Sequence, residues 1–202
     1  MDRIWHKAYM PGVPKTVSFE DLTMPEFLSR TARRFPKRDA LVYLGRRISF
    51  AELDRLADRF ASALKGIGVK KGDRIALLLP NVPQIVIAYF GIWRAGAAAL
   101  PCNPLYSDRE IEHQVNLAGA SVMITLDLFA PRMLALRSRT GIRQVIAAHI
   151  NDYLPTPQRQ LFPFVKRAMY LPYRREEGYH EFMDLMRRAP AGERHIPPAL
   201  DD

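Results

Sequence analysis

Three glycines and two lysines stand together in GIGVKKGDRIALLLPN, residues 66–81, and residues of these types suit a loop that cradles phosphate. Such a loop works when the order is strand, glycine turn, helix, because the anion rests on the free N–H groups of a helix N-terminus. The preceding SFAELDRLADRFASALK instead places Leu53, Leu56, Ala57, Phe60, Ala61 and Leu64 at helical spacing, with Glu52, Asp54, Arg55, Asp58 and Arg59 on the other face. The order is therefore helix, glycine, strand, which turns carbonyls rather than N–H groups toward the loop. Gly66 or Gly68 reads as the C-cap of that helix, and the glycines read as punctuation.

A second turn, AALPCNPLYSDREIEHQ, does run strand, turn, helix, with Ser107 and Glu110 forming a capping box. It lacks glycine for close backbone approach and lysine for charge, so it reads as a packing corner. Cys102 within it is the single cysteine, which excludes an internal disulfide and reads as an inert buried thiol. His6, His113, His149, His180 and His195 are scattered, without HExxH, HxH or a Cys/His cluster, so no metal site is expected. No GxSxG elbow or Walker loop occurs, Glu110 and Glu112 do not face one another on a helix, and Glu176 and Glu177 read as solvated. No catalytic or cofactor-binding residue is assigned.

The elements that must carry these residues alternate. TMPEFLSRTARRF is a helix capped by Thr23 and Glu26, and ALVYLGRRISF is a hairpin turning at Gly45. Ser49 with Glu52 makes a capping box for a helix over 51–65. After it come strand 74–79, helix 82–94, strand 97–101, helix 107–118, strand 121–125, a helix near 127–138 and strand 143–147. Alternation of this kind predicts an α/β fold with a mainly parallel sheet and crossover helices, and the continuously apolar strands fit burial on both faces. The 202 residues suit one domain, divided here into an α/β part over 1–150 and a Pro-rich, aromatic, basic insertion and linker over 151–202.

The net charge is +9, and its excess lies wholly in residues 1–150, since 151–202 hold eight basic and eight acidic residues. Arg30, Arg33, Arg34, Lys37, Arg38, Arg46 and Arg47 read as a solvated basic face, and without a zinc-finger, RRM or helix-turn-helix pattern no nucleic-acid partner is expected. No signal peptide is visible, and IVIAYFGIW is too short to span a bilayer. Residues 159–175, RQLFPFVKRAMYLPYRR, carry five cations and no carboxylate. Phe162, Phe164, Lys166, Arg167, Tyr170, Arg174 and Arg175 are candidate membrane contacts; the competing reading packs the aromatics on the domain and leaves the cations in water. Pro163 and Pro172 argue against one long amphipathic helix.

KKGDRIALLLPNVPQIVIAYFGIWRAGAAALPCNPLYSDREIEHQVNLAGASVMIT resembles the adenylate-forming acyl-CoA synthetases, in which a GD-R-A-hydrophobic-PN strand precedes a helix ending in AG, a strand, NPLY and a helix beginning RE-E. The arm RIWHKAYMPGVP and the stretch NDYLP…FPFVK are most similar to the long-chain fatty acid–CoA ligases of that family. The resemblance implies the N-terminal portion of an enzyme that uses ATP and magnesium to turn a long-chain fatty acid into an acyl-adenylate, then transfers the acyl group to coenzyme A. It implies further partners: the remainder of the ligase chain and, through exposed apolar surface, a homodimer. Localisation would be cytoplasmic, with peripheral contact at the inner face of the membrane. The family's Ser/Thr/Gly-rich loop ending in lysine, its Tyr-Gly-x-Thr-Glu segment, ribose-binding Asp, hinge and C-terminal lysine have no matching position here. The chain alone is therefore expected to be inactive and to bind none of these cofactors. The alternatives are a stand-alone membrane- or protein-binding module and a ligase for medium-chain or aryl acids.

Overall fold

The structure, a computed structural model, describes residues 3–172 and 176–190. Its elements are α1 (Met24–Arg34), β1 (Asp39–Tyr43), β2 (Arg46–Ser49), α2 (Phe50–Gly66), β3 (Arg74–Leu78), α3 (Pro83–Arg94), β4 (Ala98–Pro101), α4 (Asp108–Ala118), β5 (Val122–Leu126), α5 (Ala130–Leu136), β6 (Gln144–Ala148), α6 (Gln158–Val165), β7 (Tyr179–Glu181) and α7 (Phe182–Arg188). β1 and β2 pair as an antiparallel hairpin. The other five strands form a parallel sheet in the order β4-β3-β5-β6-β7. The fold is thus α/β with crossover helices, as the alternation of elements predicts.

Alternation along each strand sorts the core into two layers. Ile75, Leu77, Ile124 and Ile146 point to the face covered by α2, α3 and α7, while Ala76, Leu78, Met123 and Val145 meet Ile111 and Val115 of α4 and Met133 and Leu136 of α5. The register sets Leu77 beside Ile124 and Ile124 beside Ile146, so each layer is a continuous apolar row. β7 and α7 go beyond the sequence reading, which ended the sheet at 147 and gave 151–202 to insertion and linker. β7 pairs with β6, and Phe182 of α7 stacks on Phe60 of α2 at 4.6 Å between ring centroids, both rings fully buried. The apolar core therefore runs on past residue 150.

Phe60 also governs how closely α3 can approach α2. A methyl group on Gly91 would meet the Phe60 ring at 2.7 Å, so only glycine lets the two helices close on that ring. Across the same face, the buried Arg94 guanidinium lies 2.5 Å from Asp54 Oδ1 and 3.0 Å from Asp58 Oδ1, and donates to Ser29 Oγ at 2.8 Å. This ties α1, α2 and α3 together. The helix N-termini at Thr23 and Ser107 carry full capping boxes. At Ser49 the box is half made: Ser49 Oγ accepts from Glu52 N–H, but the Glu52 carboxylate is drawn to Arg46 of β2 at 2.5 Å.

The glycines opening the β3 loop divide in two. Gly66 is the last residue of α2, whereas Gly68 has φ +91, and the bonds Gly68 N–H to Lys65 O and Val69 N–H to Leu64 O close a Schellman cap. Gly68→Ala is expected to cost about 1 kcal/mol in denaturant unfolding through backbone strain, whereas Gly66→Ala, with open space around it, leaves stability equal or raises it by up to about 1 kcal/mol. Equal losses in both would contradict the assignment. Phe182→Ala, which empties a fully buried stacked position, is expected to cost about 3–5 kcal/mol, read in the same unfolding experiment.

Candidate functional site

In a parallel sheet, ligands collect outside the carboxyl ends of the strands, where the direction of the crossovers reverses. β3 sends its crossover α3 to one face and β5 sends α5 to the other, so that point lies between the ends of β3 and β5. Asp127 follows β5 directly, His149 follows β6, and Glu181 ends β7. Three side chains scattered in the sequence are thereby brought to one end of adjacent strands. The helix expected from 127 starts at Ala130, because Asp127 is part of the turn that carries this group.

His149 Nδ1 lies 2.8 Å from Asp127 Oδ2, and Nε2 lies 3.4 Å from Glu181 Oε1. An imidazole donates from both nitrogens only when protonated, and the surroundings favour that form. Burial pulls the His149 pKa down, but the hydrogen bond and charge of Asp127, the charge of Asp152 and the bond to Glu181 outweigh it, and the net shift is upward. Asp152 Oδ2 accepts from His149 N–H at 2.9 Å and from Gln84 Nε2 at 3.1 Å, and Gln84 Nε2 also donates to His149 O at 2.7 Å. Burial pushes the Asp152 carboxyl up from its usual range despite those bonds. Gln84 Oε1, Asp127 Oδ1, Asn151 Oδ1 and the Tyr153 hydroxyl are buried with no hydrogen-bond partner. A cavity of about 220 Å³ opens here, lined by His149, Asn151, Asp152, Arg159, Tyr170 and Glu181 among others.

The cluster also anchors the segment that follows β6. Tyr170 stacks on His149 at 4.6 Å, and Leu171 N–H donates to Asp127 Oδ2 at 2.6 Å. Pro163 has no N–H for the Arg159 carbonyl one turn back, and Asn151 Nδ2 donates to that carbonyl instead at 3.0 Å. The seven candidate membrane contacts consequently separate. Phe164, Lys166 and Arg167 are exposed, Phe162 is half-buried, and Arg174 and Arg175 lie outside the described residues. The half-buried Tyr170 is the one of the seven whose ring is stacked on His149.

The opposite end of the sheet holds a cavity of about 470 Å³ whose lining includes Gly68, Lys70, Arg74, Gly119 and Arg143. Arg74 Nε donates to Ala118 O at 2.9 Å and Nη1 to Gly72 O at 3.2 Å. Arg74 is thereby held on the carbonyl that ends α4, and the turn at Gly68 follows the C-terminus of α2, so this end is not built as a phosphate cradle. Elsewhere, burial pushes the Cys102 thiol up to about 11, which keeps it protonated and unreactive at neutral pH. The basic face is largely self-paired: Arg30 with Glu20, Arg47 with Asp39, and Arg34 and Arg38 over the Phe35 ring. Among the described residues no group of His, Cys, Asp or Glu is arranged to hold a metal ion, and no helix is long and apolar enough to cross a membrane.

The His149 cluster fixes a sign for pH dependence. Because the folded-state pKa of His149 is raised, its contribution to stability is complete below about pH 6.5, the unfolded value, and is lost as pH rises through the folded value. His180, lowered by burial and then by Arg188, acts with the opposite sign and is present in both proteins compared. Denaturant unfolding across neutral pH is expected to show the wild type losing stability with rising pH relative to His149→Asn. Parallel pH profiles would remove His149 from the linkage.

Comparison with known proteins gives a consistent result. The sequence profile described as AMP-binding enzyme matches residues 28–182. The chain is 32% identical over 185 residues to a long-chain-fatty-acid–CoA ligase of Bacillus subtilis, covering 91% of this chain and 33% of that protein. It is 36% identical over 132 residues to a salicyl-AMP ligase / salicyl-S-ArCP synthetase of Mycobacterium tuberculosis, covering 63% of this chain and 23% of that protein. Among solved structures, a long-chain-fatty-acid-CoA ligase from Archaeoglobus fulgidus superposes with a TM-score of 0.71 at 16% identity, covering 96% of this chain and 35% of that one. The chain thus spans about a third of the length of these fatty-acid ligases.

Proposed function

The chain belongs to the AMP-binding enzyme family, and on that footing we propose that it forms the N-terminal scaffold of a fatty acid–CoA ligase. The reaction joins two steps. A long-chain fatty acid carboxylate attacks the α-phosphorus of ATP, forming the acyl-adenylate and releasing pyrophosphate; the coenzyme A thiolate then attacks the acyl carbon and AMP leaves. The observation that carries this reading is the extent of the likeness to the Bacillus ligase, which takes in 91% of the chain. An aryl acid substrate is the second reading, favoured by the higher identity to the salicyl-AMP ligase over a shorter stretch.

Developing charge on phosphate needs N–H donors and cations fixed around it. The loop order around Gly68 and the binding of Arg74 to the Ala118 and Gly72 carbonyls give no phosphate cradle there, and among the described residues no group of His, Cys, Asp or Glu is arranged to hold a metal ion. No step with ATP or magnesium is therefore assigned to these residues. Their part is mechanical: the sheet and its helices carry the carboxyl ends of β3, β5, β6 and β7 into position for the rest of the ligase, and the His149 cluster holds the segment leading on from β6.

The purified 202-residue chain is expected to show no fatty-acid-dependent exchange of pyrophosphate into ATP, since each missing oxyanion donor of the cradle typically contributes a factor of about 10² to 10³. Exchange at the rate of an intact ligase would overturn the assignment of scaffold without catalytic site. In a longer polypeptide that includes the remaining ligase segments, palmitate should support exchange better than salicylate. The reverse preference would favour the aryl reading.

A further inference from the structure

We propose that α6 and the tip of the β1–β2 hairpin together form a docking surface for an anionic lipid bilayer. α6 contains no buried residue, which is unusual for a helix whose Leu161, Phe164 and Val165 are 53%, 71% and 71% exposed. The hairpin tip adds Leu44, 63% exposed and held at φ 45, a left-handed conformation that leucine adopts at a cost. Although remote in sequence, Leu44 lines one groove of about 500 Å³ with Leu154, Leu161, Phe162, Val165 and Lys166. Two separate elements thus present apolar side chains to the same side.

Charge decides the occupant. Arg159, Lys166 and Arg167 are exposed on or beside α6, and the sequence holds no carboxylate between Asp152 and Glu176. The core of a protein–protein interface is depleted of charge, whereas an apolar patch bordered by cations suits the boundary between acyl chains and anionic headgroups, with the long stems of lysine and arginine reaching up to the phosphates. The segment is pinned at both ends, by Asn151 on the Arg159 carbonyl and by Tyr170 and Leu171 on His149 and Asp127. The apolar side chains of α6 cannot therefore swing inward to bury themselves. As no helix of the described residues can cross a membrane, the contact is peripheral.

The test uses the 202-residue chain and vesicles of phosphatidylcholine with or without phosphatidylserine, separated by sedimentation at low and high salt. Binding is expected on the anionic vesicles, fading with salt. Lys166→Gln with Arg167→Gln should weaken it by about 5-fold for each cation, or about 25-fold together. Phe164→Ser and Leu44→Ser should each weaken it further, while thermal unfolding of all variants stays near the wild type because the replaced side chains are exposed. Unchanged binding by Leu44→Ser would overturn the composite surface. Equal binding to neutral and anionic vesicles, or no vesicle binding together with self-association that Phe164→Ser abolishes, would overturn the lipid assignment and leave a protein interface.

Discussion

A parallel strand has both faces to hide, and most of this architecture follows from that requirement. β3, β5 and β6 are apolar along their length, so two helical layers are needed, and the chain supplies them by crossing in front for β4 and behind for β5 and β6. The layer of α2 and α3 alone does not close. Phe60 would remain open on one side if α7 did not return Phe182 against it. The short last pair of elements completes a core laid down much earlier in the chain.

The sheet interior was legible in the sequence because its physical signals are local. Runs such as IALLL and SVMIT, capping boxes at Thr23 and Ser107, and a glycine at the α2 terminus each report on their own neighbourhood. β7 carried no such signal: Tyr-His-Glu is three residues long, two of them polar, and becomes a strand because the edge of β6 offers it hydrogen bonds. The Asp127–His149–Glu181 group was illegible for a related reason. Its members are adjacent only through the order of the strands that they follow. One signal was available, namely that Asp127 and His149 each stand at the first position after an apolar strand, on the end where such sheets hold polar groups. Tyr170 shows the limit of composition: an aromatic in a basic stretch gives no sign that its ring will stack on His149.

The two ends of the sheet differ in electrical character, and this separates their uses. At one end helices α2 and α4 finish, and the Arg74 guanidinium is bound to the Ala118 and Gly72 carbonyls, so its positive charge is already committed to the protein itself. At the other end, Asp127 and Glu181 share the His149 imidazole while Asp152 accepts from the backbone N–H of the same residue, and buried oxygens of Gln84, Asp127 and Asn151 have capacity to accept further donors. The apolar surface of α6 and the hairpin lies beside this second end, fastened through residues of the same cluster. Scaffold, polar group and surface segment are therefore one mechanical unit, in which a change at Asp127 or His149 would loosen the foundation of α6.

The stack of Phe60 on Phe182 has a consequence for how the protein is made. A ribosome adding about 5–20 residues per second needs roughly 6–25 s to pass from one ring to the other. Towards the end of that interval the nascent chain holds β4, β3, β5 and β6 with α2 and α3 to lay across them, yet it carries an uncovered aromatic seam. Quality control during synthesis would thus act on this seam, and a ribosome that stalls short of codon 182 leaves a nearly complete sheet with its stickiest surface still showing.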